Sequence, residues 1–163
     1  MDSKADMYLR RAKSEIDAAE ILLTASTNVD IKPMFNLSNE STFYSGVISH
    51  SYYGIFYCAK AMLLTKKIET ESPEIHKKTF DEFKKAFIDT GLLDTKLLMI
   101  YQELIIRAET LLGIYQQEKK KRGDFTYNTI PQANKEPADE SIRNVKMFYK
   151  HCNTYLLNLN NKK

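Results

Sequence analysis

The sequence predicts an all-α protein, folded as an antiparallel up-down bundle of about five helices. Apolar residues recur at steps of three and four in five separate segments, which is the spacing of one helix face. No segment alternates between apolar and polar residues for long enough to predict a strand. Because the connecting segments permit up-down neighbours throughout, we expect one helical domain over residues 1–163.

The first predicted helix is amphipathic and runs from Ser3 to Thr24, with charged residues opposite its apolar stripe. The stripe contains Leu9, Ala12, Ile16, Ala19 and Leu23. Residues 26–41 are rich in Ser, Asn and Thr, so we expect a loop there, with a short turn around Met34 to Leu37.

The second predicted helix, Thr42 to Lys67, is the centre of the bundle. It has no proline over about seven turns, and its only charges are cations toward its C-terminal end. Its apolar stripe is wide enough to touch neighbours on more than one side, and its small residues let them approach closely. The stripe has two rows, Ile48, Tyr52, Ile55, Ala59 and Met62 beside Ser49, Tyr53, Phe56 and Leu63.

The third helix is predicted from its ends and its aromatic face. Ser72 can cap it with Pro73 in the first position, and Gly91 is the expected C-terminal stop. His76 lies on the same face as the aromatic residues, and we favour a hydrogen-bonded structural role over that of a catalytic base or ligand. The aromatic residues are Phe80, Phe83 and Phe87.

The fourth and fifth helices have the longest stripes. Asp94 can cap the fourth, which ends in a cationic run and Gly123, and Pro137 is predicted to open the fifth. Between them lies a polar loop with charged and aromatic residues, where function is often found. The stripes contain Leu97, Tyr101, Leu104, Ala108, Leu111 and Tyr115, and then Ala138, Ile142, Val145, Tyr149, Cys152 and Leu156.

Charge and hydropathy restrict the class of protein. The net charge of +3 is too weak by itself to indicate nucleic acid, so the basic residues matter where they cluster. The main cluster is Lys119, Lys120, Lys121 and Arg122, which is typical of a solvated helix end, with phosphate binding as the alternative. No run of about 18 apolar residues occurs, so we expect a soluble cytoplasmic protein without membrane contact.

The sequence lacks the motifs of several common kinds of functional site. The five glycines include no phosphate-loop spacing, and the three histidines lack a second ligand at helical spacing, so we expect no metal and no cofactor. Ser49, His50 and Ser51 are adjacent and cannot face one another on a helix, so they do not form a triad. Cys58 and Cys152 fall in apolar helical patterns and are predicted to be buried reduced thiols.

One set of segments resembles a known family over nearly the whole chain. The set comprises the opening YLRRAKSEIDAAEILL, the central SGVISHSYYGIFYCAKAMLL, a His early in the third helix, and RGDF before the last helix. In order and spacing these resemble the HEPN family, the higher eukaryotes and prokaryotes nucleotide-binding domains. The fold that this resemblance implies is the same helical bundle.

The resemblance also implies a function. Many HEPN proteins are metal-independent ribonucleases, often toxins, in which an Arg and a His a few residues later meet across a homodimer cleft. No His follows Arg122 at that spacing, and Arg143 and His151 are turned about 80° apart on a helix. The resemblance therefore implies a non-catalytic member.

The nearest pattern in the family is an Arg, then two or three residues, then a small residue, Asp and Tyr. Here Lys120 or Arg122 supplies the cation, Asp124 matches, and Phe125 replaces the Tyr. The alternative for Asp124 is a turn cap paired with Arg122. Tyr52 and Tyr53 are more often core than site in such a pattern, with at most one of the two hydroxyls reaching the cleft.

The function implied is a homodimeric bundle that binds RNA, a nucleotide or a partner protein, with a minimal nucleotidyltransferase as the partner and a toxin-antitoxin or defence module as the context. The ligand-binding residues implied are Lys119, Lys120, Lys121, Arg122, Asp124, Tyr52 and Tyr53. The alternative is a metal-independent ribonuclease with a rearranged site, in which Arg122 acts with His76 or His50. A third reading is a scaffold that only dimerises.

Overall fold

The computed structural model describes residues 3–120 and 134–160, with side chains for residues 4–111 and 134–159. Five α-helices and no strand occur in these ranges, which confirms the all-α prediction. None of the described helices is long and apolar enough to cross a membrane. The helices are α1 (Ser3–Thr27), α2 (Tyr44–Leu64), α3 (Ile75–Phe83), α4 (Thr95–Lys120) and α5 (Lys135–Asn160), with a 3-10 turn at Lys32–Phe35 and a π-helical turn at Lys84–Ile88 after α3.

The central helix α2 packs against the other four helices, as its wide stripe predicts. Gly54 allows α1 and α5 to come close, because a Cβ at this position would lie 2.8 Å from Val145 Cγ2 and 3.3 Å from Ile16 Cγ1. The two neighbouring side chains are themselves buried. The three-helix contact at Gly54 therefore depends on the absence of a side chain there.

The predicted ends of the first two helices shift by two or three residues. α1 continues to Thr27, beyond the predicted Thr24. α2 stops at Leu64 because Lys67 adopts a left-handed conformation with φ of 58°. The Ile68 N–H then donates to the Leu63 carbonyl at 3.1 Å, which closes the helix end and leaves the terminal lysines outside it.

The predicted cap of α3 is wrong. Ser72 and Pro73 are joined by a cis peptide bond and lie before the helix. Glu74 has φ of 58°, so the helical conformation begins only at Ile75. The predicted stop at the other end is confirmed, because Gly91 has φ of 68° just after the helical segment.

The fourth helix begins as predicted, whereas the fifth begins earlier. The Asp94 carboxylate accepts a hydrogen bond from the Lys96 N–H at 2.8 Å, which confirms the cap. α5 starts at Lys135, two positions before Pro137, because proline is tolerated anywhere in the first turn, where no N–H is needed.

The core joins all five helices, and it includes an aromatic cluster that the predicted stripes cover only in part. Phe83 lies 5.5 Å from Phe148 and 6.0 Å from Tyr101 between ring centroids. Phe148 is fully buried although it is outside the predicted stripe of α5, while Tyr149, within that stripe, is only half-buried. The stripe is wider than predicted because α5 packs on α1, α2 and α4 together.

The two cysteines are buried and unbridged, as predicted. Burial raises the pKa of the Cys58 thiol well above its usual range, and hydrogen bonding to Cys152 raises it further. Both cysteines therefore act as apolar core residues at the interface of α2 and α5.

Arg107 fixes the start of α5 to α4, and no sequence pattern indicated it. Its guanidinium donates to the Pro137 carbonyl and to Ser141 Oγ, each at 3.1 Å. It also pairs with Glu103 of its own helix and Glu140 of α5. Five donors in a planar fork suit this set of acceptors.

We predict that Gly54→Ala lowers the free energy of unfolding by about 1–2 kcal/mol, because overpacking against Val145 and Ile16 exceeds the gain of about 1 kcal/mol in helix propensity. Gly46→Ala is the matched control: its Cβ meets only the end of the half-buried Leu22 side chain, which can rotate away. Urea unfolding of both variants measures the difference. Equal stability of the two variants would contradict the packing described for Gly54.

Candidate functional site

The basic cluster that the sequence singles out lies outside the residues whose side chains are described. Lys119 and Lys120 belong to the last turn of the α4 backbone, and Lys121, Arg122 and Asp124 follow it. Of the predicted ligand-binding residues, Tyr52 and Tyr53 can be placed, together with His76.

These three residues meet where α2 and α3 come together. The Tyr52 hydroxyl and His76 Nδ1 are 2.8 Å apart and share a hydrogen bond. The His76 ring packs on Phe56 at 4.3 Å between centroids, and Tyr53 lies edge-on at 6.0 Å. His76 is thus hydrogen-bonded, as the structural interpretation expects, although its aromatic partner is Phe56 and not Phe80.

Electrostatics keep this pair neutral near physiological pH. Burial lowers the pKa of His76, and the nearby Lys60 cation lowers it further. Burial also raises the pKa of the Tyr52 hydroxyl, with smaller contributions from Tyr53 and Glu109. A neutral imidazole accepts or donates one hydrogen bond at Nδ1, so the Tyr52 contact occupies that nitrogen.

A row of aromatic rings and cations extends from this point along the contact between α1 and α2. The Tyr57 ring stacks on Tyr8 of α1, with centroids 6.1 Å apart and planes 19° apart. Tyr53 lies 6.5 Å from Tyr57 on the other side. Arg11 lies 5.4 Å above the Tyr57 ring, and Lys60 lies 4.9 Å above Tyr8. We call these five residues the aromatic–cationic surface.

Helix geometry explains the alignment. Tyr8 and Arg11 are three residues apart on α1, whereas Tyr53, Tyr57 and Lys60 follow at steps of four and three on α2, so each set shares one helix face. As a residue Tyr53 is 40% exposed, so it is not the core residue that the sequence pattern favours, and Arg11 is exposed as well. The surface therefore offers an accessible ring beside accessible positive charge.

A carboxylate–imidazole pair, Glu15 and His50, lies next to Arg11 of the same row. Glu15 is 8% exposed, and its two oxygens contact Arg11 Nε at 3.0 Å and His50 Nδ1 at 2.6 Å. The sequence analysis did not single out Glu15, although its position four residues after Arg11 is a signal for an ion pair on α1.

The adjacent serines do not join this pair into a triad. The partner of His50 is Glu15 from another helix. The Ser51 hydroxyl is buried and has no hydrogen-bond partner among the described residues. Among all the residues that the structure describes, no group of three or more His, Cys, Asp or Glu side chains could hold a metal ion.

Two curated proteins are similar to the chain. A Methanocaldococcus jannaschii protein named "Putative toxin MJ0142" is 30% identical over 153 residues, which cover 94% of this chain and 86% of the relative. A second protein of the same organism, "Putative toxin MJ0605", is 27% identical over 109 residues, 67% of this chain and 68% of the relative. No protein-family model matches the chain. No solved structure matches it either.

We predict that stability depends on pH through His76. The unfolded chain takes up a proton near the ordinary His pKa of 6.5, whereas the folded protein takes it up only at lower pH, so the free energy of unfolding decreases as pH falls through this range. His76→Asn keeps an acceptor for Tyr52 and removes the titration, and we expect a smaller decrease between pH 7.5 and about pH 5.5 than in the unmodified protein.

The control for this measurement is His151→Asn, which changes an exposed histidine on α5. This variant should retain the full pH dependence in urea unfolding. If His76→Asn shows the same pH dependence as the unmodified protein, the assignment of the titration to His76 is wrong.

Proposed function

The chain belongs to the family of the two Methanocaldococcus jannaschii proteins named "Putative toxin". On that premise we propose that it is a HEPN-like, non-catalytic component of a toxin-antitoxin or defence module that binds single-stranded RNA. The observation that carries this proposal is the aromatic–cationic surface between α1 and α2. The homodimer and the minimal nucleotidyltransferase partner that the HEPN resemblance implies are part of the same proposal.

The aromatic part of the surface suits unpaired bases. Its rings are spaced by 6.1 and 6.5 Å along one side of the bundle, and the ring of Tyr53 is open to solvent. Every base has a π face, so a ring of this kind binds bases with little sequence preference, at about 1–3 kcal/mol per stacked base. Bases in a duplex are already stacked, so the surface favours single strands.

The cationic part suits the phosphate backbone. Arg11 lies over the Tyr57 ring and Lys60 over the Tyr8 ring, so both cations are available to phosphates of a strand that follows the row. Lys60 is held in position by its hydrogen bond to the Thr70 carbonyl at 3.0 Å. The basic cluster of Lys119 to Arg122, with Asp124, supplies further contacts in this proposal, by the HEPN resemblance.

A second candidate is the metal-independent ribonuclease, and one contact favours it. His50 is exposed on one side and oriented by Glu15, with the Arg11 guanidinium bonded to the same carboxylate. An imidazole so held can accept the proton of a ribose 2′-hydroxyl, and a guanidinium can stabilise the phosphorane. In this candidate His50 is the general base and not His76, because the Nδ1 partner of His50 is a carboxylate, which stabilises the imidazolium that forms, whereas the Nδ1 partner of His76 is a neutral tyrosine hydroxyl.

We predict that a fluorescein-labelled single-stranded RNA of about 12 nucleotides binds the chain, and that Tyr53→Ala weakens binding about five- to a hundredfold because one stacked base is lost. Tyr53→Phe retains the ring and should bind like the unmodified protein. Met99→Ala, at an exposed apolar side chain of α4, is the surface control. Fluorescence anisotropy at two salt concentrations measures these affinities.

Several results would contradict the binding proposal. Equal affinity for a duplex of the same sequence would exclude base stacking, and an unchanged affinity in Tyr53→Ala would exclude this surface. The same RNA is incubated without metal ions. Cleavage that is lost in His50→Ala while binding is retained would establish the ribonuclease candidate instead.

A further inference from the structure

In the loop between α1 and α2 a charged residue is buried and large apolar residues are exposed, the reverse of the usual arrangement. Lys32 is 2% exposed, whereas Met34 is 77% exposed and Phe35 64%. Val29, earlier in the loop, is also exposed. Lysine is normally found at the surface and phenylalanine inside, so this loop presents its apolar residues to the outside at the expense of a buried cation.

The inverted arrangement is built into the fold of the loop. The Lys32 ammonium donates to the Asn39 carbonyl, and the Lys32 carbonyl accepts the Leu37 N–H at 3.0 Å. At the end of the loop, the Phe43 N–H donates to Ser26 Oγ of α1 at 2.8 Å. The exposed side chains are therefore held on an ordered support, which lowers the entropy that binding would cost.

The charges around these side chains indicate what covers them. Between α1 and α2 the charged residues are Asp30, Lys32 and Glu40. Lys32 is turned inward, while Asp30 and Glu40 are exposed, so the loop presents only negative charge to solvent. The two exposed carboxylates repel RNA and anionic lipid surfaces, and they attract a cationic protein surface.

A second copy of this chain fits less well. An isologous contact would bring Asp30 and Glu40 of both copies together around the two-fold axis.

We infer that Val29, Met34 and Phe35 form an apolar knob that docks against an apolar helix face of a different protein, flanked by Lys or Arg. The knob follows the C-terminal end of α1, whereas Tyr8 lies near its N-terminal end, so about 28 Å of helix separates Tyr8 from Thr27. The inference is independent of RNA binding, because it uses none of the residues of the aromatic–cationic surface.

The test uses a labelled synthetic helical peptide of about 18 residues, with a leucine face flanked by lysines, and a matched peptide flanked by glutamates. We expect the lysine peptide to bind at least tenfold more tightly than the glutamate peptide. Phe35→Ser should weaken that binding at least tenfold, and Met99→Ser should leave it unchanged. Asp30→Lys with Glu40→Lys should reverse the preference between the peptides.

Equal binding of both peptides, or binding that Phe35→Ser leaves intact, would overturn the inference. A dimer in sedimentation velocity that Phe35→Ser dissociates would assign the knob to a second copy. Binding to vesicles of phosphatidylcholine and phosphatidylglycerol that Phe35→Ser abolishes would assign it to a membrane. RNA affinity should be the same in Phe35→Ser as in the unmodified protein, which separates this test from that of the proposed function.

Discussion

The close packing of α1 and α5 on α2 is the contact on which the rest of the structure depends. It requires a position without a side chain at Gly54. Where α1 packs closely on α2, side chains of the two helices are in direct contact along both edges of the contact, which we call the α1–α2 seam. The inner edge becomes the core, and the outer edge becomes the aromatic–cationic surface. One constraint thus fixes both the stability of the bundle and the geometry of its candidate site.

The site follows from the antiparallel direction of α1 and α2. Glu15 of α1 meets His50 near the start of α2, Arg11 meets Tyr57, and Tyr8 meets both Tyr57 and Lys60 further along. Each contact joins the two helices, so the row is as rigid as the helix pair itself. A rigid row of rings and cations is what a single-stranded nucleic acid requires, since stacking depends on the orientation of the rings.

Much of the fold could be predicted because helix periodicity and capping are local signals. The α2 stripe, the Asp94 cap and the Gly91 stop each depend on a few neighbouring residues. The contacts of Arg107 with α5 could not be predicted, because these acceptors belong to the tertiary arrangement. The burial of Lys32 could not be predicted either, because its acceptor is a backbone carbonyl that the fold of the loop brings into reach. Of the aromatic–cationic surface the sequence singled out Tyr53, whose binding role stays a prediction. Tyr8 carried no signal in the sequence, because its contact with Tyr57 joins two different helices.

The most direct test of the central claim is to map amide chemical shifts in the ¹⁵N-labelled protein during titration with single-stranded RNA. We expect the perturbed amides to lie on both sides of the α1–α2 seam, at Tyr8, Arg11, Tyr53 and Tyr57. We expect the amide of Phe35 to be unaffected. Perturbations confined to α5, or to the loop before α2, would show that the seam is not the RNA-binding surface.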